Sequence, residues 1–575
     1  MRTEGLKSAL EMLYHWEKTT PDRIFLRQPR GDSWREYTWR EVARQVRSLA
    51  QALRDQDCRE GDRVAILGKN AAHWIMADLA IMMAGCVSVP LYPTQQADVI
   101  RYVLEHSDSK LLFVGRVDEP SKIEAGIPHQ LPRIRFPYPD AMAAEMDWDE
   151  LVRKTRPLEG NPRPALDQLA TIVYTSGTTG FPKGVMHTFR TMAHAAIGYK
   201  QSFGFHENDR LFSYLPLPHV AERVLVEMIG LACGSSISFT ESLDTFTKNL
   251  QSVAPTAFFS VPRLWVKFQQ GILAKVPQEK LDRLLSLPFV SSLIRYKIKK
   301  SLGLHKARLI GSGAAAIAPS VLYWFDRIGI EILEGYALTE NFGYATSTPK
   351  GGVRIGSVGR AMPSSVIKID SNGEILTKSG ATTTGYYKDP AATAQILSDG
   401  YLRTGDLGEV DAEGYIRITG RVKEIFKTDK GKYIAPAPIE HRFLAEIPFV
   451  EQLCITGHAL PQPVALCVLN ESARKAPAEQ IEKEVSTLLK SLNSKLEKHE
   501  QIEHCIFVKD EWTVDAGMMT PTLKIRRHSV EARYRGVIDQ ARQNRNPVIW
   551  EETLQRGKGA EASAFVHECE HSTIV

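Results

Sequence analysis

The sequence predicts a layered α/β protein of more than one domain, and two observations carry that reading. Its 575 residues are more than one compact hydrophobic core accommodates. From about residue 21 to residue 114 helical and strand-like patterns alternate, and they continue to alternate past residue 300. That order suits helices layered on sheets. "TWREVARQVRSLAQALRDQ" (residues 38–56) spaces its apolar side chains as an amphipathic helix. "DRVAILGKN" (62–70) reads as a short buried strand and a turn. "LAIMMAGCVSVPLY" (79–92) predicts a buried helix running into a strand. It is shorter than the ~20 residues a membrane-spanning helix needs. "RKTRPLEGNPRPALDQ" (153–168) is an exposed connector, and "QLATIVYT" (168–175) is apolar and β-branched, as a strand is.

Composition narrows the class. Hydrophobic residues make up 43% and charged residues 24%, the balance of a soluble globular enzyme. A net charge of +5 on this length gives no argument for nucleic acid. The 7 cysteines are scattered and odd in number and have no C-x-x-C spacing. That predicts free thiols in a reducing, cytoplasmic compartment and no structural zinc. The opening "MRTEGLKSALEMLYHWEKTTPDR" has no apolar core, so no secretory signal is expected.

The chemistry is concentrated in a few segments. In "YTSGTTGFPKGV" (174–185), Gly177 and Gly180 permit tight turns, which expose backbone N–H groups that can cradle phosphate. Thr175, Ser176, Thr178 and Thr179 add hydroxyl donors and Lys183 a positive charge. The Gly-Lys-Ser/Thr ending of a Walker A loop is absent. In "LPLPHVAERV" (215–224), His219 follows two prolines and is expected at a rigid strand end. "ARLIGSGAAAIAP" (307–319) takes a strand into a small-residue turn at Gly313 and Ala314, where a flat ring could approach the backbone. In "EILEGYALTENFG" (331–343), Tyr336 can stack on a purine and Thr339 can donate to a phosphate. Glu340 there is a hard oxygen ligand of the kind Mg²⁺ prefers. "YLRTGDLGEVDAEGYIRITGRVKEIFK" (401–427) puts Asp406 after a glycine, at an expected turn, where a carboxylate can accept both hydroxyls of a ribose. Arg421 follows with a long cationic side chain of the kind that pairs with phosphate, and "MTPTLKIRR" (519–527) carries Lys524 in an exposed basic run. Taken singly, each segment has an ordinary reading: a surface loop, a packed histidine, a solvated acid or a basic face.

Together they resemble the adenylate-forming enzymes. "YTSGTTGFPKG" is similar to that superfamily's phosphate loop, and the other motifs occur in the family's order over about 350 residues. The resemblance implies a large multi-layer α/β N-terminal domain (1–420), a small mobile α+β C-terminal domain (421–556) and a polar tail (557–575). It implies that Thr175, Ser176, Gly177, Thr178, Thr179, Gly180 and Lys183 hold pyrophosphate, and that Glu340 and Thr175 hold Mg²⁺. Gly313, Ala314, Glu334, Gly335 and Tyr336 would line the adenine and acyl pockets, and Asp406 and Arg421 would hold the ribose. His219 would lie beside the substrate carboxylate, Thr339 at the α-phosphate, and Lys524 would be the catalytic lysine. Lys423 would be the hinge, and the loop at Gly431 would enter the site for thioester formation. Ala437 and Pro438 depart from the pattern, since acyl-CoA synthetases commonly carry glutamate where Ala437 stands, whereas Glu440 matches. The implied reaction joins an acid to ATP as acyl-AMP, releases pyrophosphate, and passes the acyl group to CoA. The helical stretch 279–306, with "PLPHVAERV" and "GKYIAP", looks like the long-chain fatty acyl-CoA synthetase branch.

The stretch 279–308 is also basic and amphipathic. It can rest on an anionic membrane surface or be an ordinary surface helix. Two other functions share the motifs: a fatty acyl-AMP ligase serving a carrier-protein thiol, and a non-catalytic nucleotide or fatty-acid binding protein. The second would be expected to lose a charged catalytic group, but Lys183, Glu340, Asp406, Arg421 and Lys524 are all retained.

Overall fold

The computed structural model describes residues 5–175, 182–447, 449–520 and 524–554. The chain divides into two compact units. One takes Met1–Ile317, Val321–Thr404 and Glu409–Arg417; the other takes Ala318–Ser320, Gly405–Gly408 and Ile418–Val575.

The larger unit is organised by an 8-stranded sheet. In spatial order its strands are Gly385–Tyr386, Lys183–Thr188, Leu169–Thr175, Val87–Leu91, Arg63–Leu67, Ser109–Val114, Arg133–Arg135 and Met146–Asp147. From Leu169–Thr175 to Met146–Asp147 the neighbours run parallel, while Lys183–Thr188 pairs antiparallel on both of its sides. Parallel neighbours need crossovers. Helix Ala72–Ala84 crosses from Arg63–Leu67 to Val87–Leu91, and helix Ala97–His106 returns the chain to Ser109–Val114 on the other side of Arg63–Leu67. The order therefore reverses around Arg63–Leu67, and ligands of such sheets bind outside the carboxyl ends of the strands near that reversal.

Every residue of Ala72–Ala84 is buried, because it is covered by the sheet on one side and by helix Trp39–Asp55 on the other. Each of its Leu, Ile and Met side chains contributes about 1.5–3 kcal/mol of burial. One polar exception is Asp78, which binds the buried Arg223 guanidinium and the Ser88 hydroxyl. Arg223 also donates to Glu227 (3.0 Å) and to Thr171 Oγ1 (3.0 Å). Arg223 to Met228 form a single wide π-helical turn, a geometry that recurs where a helix accommodates an inserted group. The unit's other strands include a sheet of Arg210–Ser213, Ser236–Phe239, Ile24–Arg30 and Ser33–Thr38, another of Ala257–Ser260, Leu309–Ser312, Leu333–Tyr336, Thr346–Ser347 and Arg360–Ala361, and Val366–Ile369, Glu374–Lys378 and Leu397–Ser398, which pair within a further sheet.

The smaller unit has its own sheet, Val450–Thr456, Val464–Leu469, Cys505–Phe507 and Val548–Trp550. Helices Pro436–Glu446 and Ala478–Asn493 cover one face and Arg527–Ala541 the other, each with a separate apolar core. The six described cysteines are buried free thiols. No described helix is long and apolar enough to cross a membrane.

Three local expectations need correction. His219 is not at a strand end. Strand Arg210–Ser213 stops six residues earlier, and His219 caps the short helix Val220–Glu222, its Nδ1 accepting the Ala221 N–H at 3.2 Å. Pro216 and Pro218 hold the chain extended and leave the next turn open to a capping side chain. Asp406 is not at a turn but inside strand Tyr401–Val410. Gly405, at φ +71, absorbs a local kink, and the strand continues past it. The stretch 279–306 is two helices, Gln278–Ser286 and Val290–Ser301, broken at Pro288.

Candidate active site

Strands Leu169–Thr175 and Lys183–Thr188 form an antiparallel hairpin in which Thr175 lies directly opposite Lys183. Ser88 pairs with Thr171, so the hairpin's connection emerges on the side of the carboxyl ends of the parallel strands, two strands from the reversal. Ser176, Gly177, Thr178, Thr179 and Gly180 lie in that connection and outside the described residues.

Around the hairpin mouth the structure assembles several of the expected residues. Thr339 and Glu340 sit on a one-turn 3₁₀ helix, Thr339–Asn341. Three bonds fix that turn to its surroundings. Asn341 Oδ1 accepts the Leu338 N–H (2.9 Å), Glu340 carbonyl accepts the Thr383 N–H (2.7 Å), and His187 Nε2 lies 2.8 Å from the Thr339 carbonyl. Burial lowers the His187 pKa to about 3, so its ring is neutral. A carbonyl only accepts, so Nε2 carries the ring proton. His187 lies on the same strand as Lys183.

Glu340 Oε1 accepts a hydrogen bond from the Tyr386 hydroxyl at 2.7 Å. Tyr386 pairs with Val185 in the sheet, and its ring lies under Lys183, with Nζ 4.9 Å from the centroid. Lys183 Nζ is also 3.5 Å from Asp389, whose other role is to cap helix Pro390–Ile396. Thr175, Lys183, Thr339 and Glu340 are thus brought to one place, with Tyr386 as the link between the cation and the acid. Sequence reasoning missed Tyr386. The available signal was "GYYKDP", an aromatic pair before an Asp-Pro helix start.

The donor set fits Mg²⁺. Glu340 Oε2 takes no hydrogen bond from a described residue, and among the described residues no three His, Cys, Asp or Glu side chains converge as a protein cage. A single carboxylate beside a phosphate-binding loop is how Mg²⁺ is held when substrate phosphates supply the other oxygens.

A second wall is made by strands Leu309–Ser312 and Leu333–Tyr336, paired with Ser312 opposite Glu334. A Cβ on Gly313 would stand 2.9 Å from the Gly335 carbonyl oxygen, so the close approach of the two chains requires glycine. Ala314 holds φ +66, a left-handed conformation costing an L-residue about 1 kcal/mol. Burial pushes the Glu334 carboxyl up to about 8, so it carries its proton at neutral pH. Tyr336 is buried at the strand's end.

The segment that ends at His219 is clamped from below. Asn70 Nδ2 donates to the Leu215 carbonyl (2.6 Å) and to Ser213 Oγ (2.9 Å), and its Oδ1 accepts the Leu217 N–H (3.1 Å). Glu222 Oε1 accepts the Tyr214 N–H (3.0 Å). Neither Asn70 nor Glu222 was singled out from the sequence, where nothing separates them from surface polar residues.

In the smaller unit Asp406 is buried and paired with Arg421 Nε at 2.7 Å. Lys423 is exposed on the turn 421–425. Gly431 has φ +79 in the link between strands Phe426–Lys427 and Tyr433–Ile434. Ala437 and Pro438 occupy the first turn of helix Pro436–Glu446, where backbone N–H groups have no intrahelical partner and proline removes nothing. Glu440 is committed to structure: its oxygens accept from the half-buried Arg527 guanidinium at 2.7 and 3.1 Å, and Oε1 also accepts the Ile455 N–H at 2.8 Å. Lys524 is exposed, and its backbone is tied to Thr520 (N–H to Oγ1, 3.1 Å).

Comparisons with known proteins identify the family and the fold. Residues 13–387 match the AMP-binding enzyme family and residues 424–546 match the AMP-binding enzyme C-terminal domain. The chain belongs to the AMP-binding, adenylate-forming enzymes. It is similar to the long-chain-fatty-acid–CoA ligase FadD15 of Mycobacterium bovis, with 28% identity covering 92% of this chain and 96% of that one. It is also similar to human long-chain-fatty-acid–CoA ligase 1, with 28% identity covering 88% of this chain and 82% of the other. Among solved structures, the anthranilate CoA ligase AuaEII with anthranoyl-AMP superposes with a TM-score of 0.77 at 21% identity, over 93% of this chain and 98% of that one. That structure shares the fold.

Proposed function

We propose that the protein is a cytoplasmic long-chain fatty acid–CoA ligase that forms acyl-AMP from a fatty acid and ATP, then acyl-CoA. The observation that carries the reading is the cluster of Lys183, Tyr386 and Glu340 at the mouth of the Thr175–Lys183 hairpin. It presents one cation and one carboxylate at the carboxyl edge of a parallel sheet, which suits a metal-bound polyphosphate. The long-chain substrate is favoured by the relatives' names and by the two helices Gln278–Ser286 and Val290–Ser301. Each methylene buried in an apolar tunnel adds roughly 0.8 kcal/mol, so tunnel depth alone can select chain length.

In this reading the carboxylate attacks the α-phosphorus and pyrophosphate leaves, with no protein nucleophile. Lys183 and the hairpin connection hold the leaving pyrophosphate, and Thr339 donates to the α-phosphate. Mg²⁺, when bound through Glu340 and Thr175, neutralises phosphate charge. Gly313, Ala314, Glu334, Gly335 and Tyr336 form the adenine wall, and Asp406 with Arg421 holds the ribose. His219 orients the substrate carboxylate, and Lys524 offsets charge as the acyl–phosphate bond forms. Catalysis comes from positioning and charge compensation. We place the domain boundary near 420–423. Rotation about Lys423 would exchange Lys524 for the Gly431 loop before CoA attacks.

The test is to supply ATP, Mg²⁺ and fatty acids from C4 to C18, with and without CoA, and to measure pyrophosphate and acyl-CoA. Acyl-CoA peaking at the long acids is expected. Pyrophosphate with persistent acyl-AMP and no acyl-CoA would reassign the acceptor to a carrier-protein thiol, and no pyrophosphate from any acid would overturn the reading.

A further inference from the structure

Helix Val290–Ser301 contains no buried residue. Its inner face packs only partway, through the half-buried Ile294 and Ile298. The exposed face carries an apolar stripe among Ser292, Arg295, Lys297 and Lys300. Phe289, at the helix N-cap, is 94% exposed, Leu293 53% and Tyr296 49%. Positions 289, 293 and 296 have the i, i+4, i+7 spacing of a single helical stripe. The turn that projects Phe289 is strained: its φ is +65, a region an L-residue rarely occupies. Strain that exposes an aromatic ring instead of burying it points to a ligand outside the fold.

Charge indicates which ligand. Between residues 283 and 325 the chain holds seven Lys and Arg and no Asp or Glu. Lys297 and Lys300 flank the stripe, and among the described residues neither forms an ion pair. Three apolar side chains are far less than the roughly 800 Å² per partner that a stable protein interface covers. A second copy of this face would set like charges against each other. An anionic lipid surface meets both features: the headgroup boundary accepts the aromatic and aliphatic side chains, and lipid phosphates meet the lysines.

We propose that the stripe Phe289–Leu293–Tyr296, with Lys297 and Lys300 beside it, is a docking surface for an anionic lipid bilayer. The full-length protein is mixed with vesicles of phosphatidylcholine alone, or of phosphatidylcholine with phosphatidylglycerol, and sedimented. Binding to the mixed vesicles is expected, and it should weaken as salt is raised. Each lysine near an anionic surface is worth about fivefold in partitioning, so Lys297→Glu with Lys300→Glu should weaken binding at least about 25-fold. Phe289→Ser with Leu293→Ser should weaken it about tenfold or more while leaving the melting temperature in place, since both side chains are exposed. Lys297→Ala with Lys300→Ala guards against a folding defect in the charge-reversed variant and should show an intermediate loss. Equal sedimentation with and without mixed vesicles, or variants that bind as the wild type does, would overturn the proposal. So would a vesicle-free dimer that Phe289→Ser dissolves, because the stripe would then be covered by a second copy. The assay contains no ATP and no fatty acid, so its outcome is separate from that of the ligase reading.

Discussion

Replacing Glu222 by glutamine should make the larger unit more resistant to alkali. Glu222 is fully buried beneath the segment that leads to His219. Its Oε1 faces the Tyr214 N–H (3.0 Å) and Asn70 Nδ2 (3.4 Å), both neutral donors. The neighbouring Arg223 turns its guanidinium toward Asp78, Glu227 and Thr171. Burial therefore raises the Glu222 carboxyl from 4.5 to about 8. A raised pKa means that the folded state holds the proton more tightly than the unfolded chain does. The stability this gives is fully present below the unfolded value of 4.5 and is lost as pH rises through about 8. At about 1.4 kcal/mol per pH unit the whole gap is worth about 4–5 kcal/mol. Glutamine mimics the protonated acid and does not titrate. Urea unfolding of both proteins, monitored at several values from pH 5 to pH 9, should show near-equal midpoints at the acid end. The variant should gain steadily above it, by up to about 4 kcal/mol. Glu334 titrates in the same direction but is present in both proteins and cancels. A difference that stays flat across that range would refute the assignment of a protonated Glu222.

Tyr386→Phe removes the hydroxyl that donates to Glu340. One net hydrogen bond of about 1 kcal/mol corresponds to about a fivefold rise in the Mg²⁺ needed for half-maximal pyrophosphate release, and an unchanged Mg²⁺ dependence would show that Tyr386 does not position Glu340. Arg527→Ala leaves Glu440 with the Ile455 N–H (2.8 Å) in place of the guanidinium and should cost about 1–3 kcal/mol. Calorimetry should show the smaller unit's transition falling while the larger unit's stays in place. Lys524→Ala should abolish most acyl-AMP formation yet largely spare CoA attack on supplied acyl-AMP, whereas equal loss in both half-reactions would remove Lys524 from its separate role. Gly313→Val should raise the KM for ATP tenfold or more, because its Cβ would meet the Gly335 carbonyl at 2.9 Å. Wild-type kinetics would show that this wall does not form the nucleotide pocket.

The sequence was most legible where local composition has one physical meaning. The apolar, β-branched run before Ser176 is a strand because little else suits "ATIVYT", and the run at 79–92 reads as a buried helix leading into a strand because it is almost wholly apolar. The motif residues Thr175, Lys183, Thr339 and Glu340 were legible as types, but their convergence was not, since it depends on a strand pairing between Tyr386 and Val185 across two hundred residues of chain. His219 was misplaced because a proline predicts extension at its own position and leaves the conformation of the next residues open. Asp406 was misplaced because glycine marks a turn and a strand kink alike. Asn70, Glu222 and His187 could not be read at all. Their roles rest on hydrogen bonds to backbone outside their own elements, which leave no periodicity or spacing in the sequence.

The pairing of Asp78 with Arg223 also sets an order of events during synthesis. The two residues are 145 positions apart, and the bond is buried. A ribosome that has released the apolar helix at 72–84 has also released a carboxylate whose partner is not yet made. Burying that helix early would enclose an uncompensated charge, at a penalty of several kcal/mol. The central sheet is therefore expected to wait, open to chaperones, until the chain beyond residue 228 has emerged, and a fragment ending before Arg223 should not close on its own.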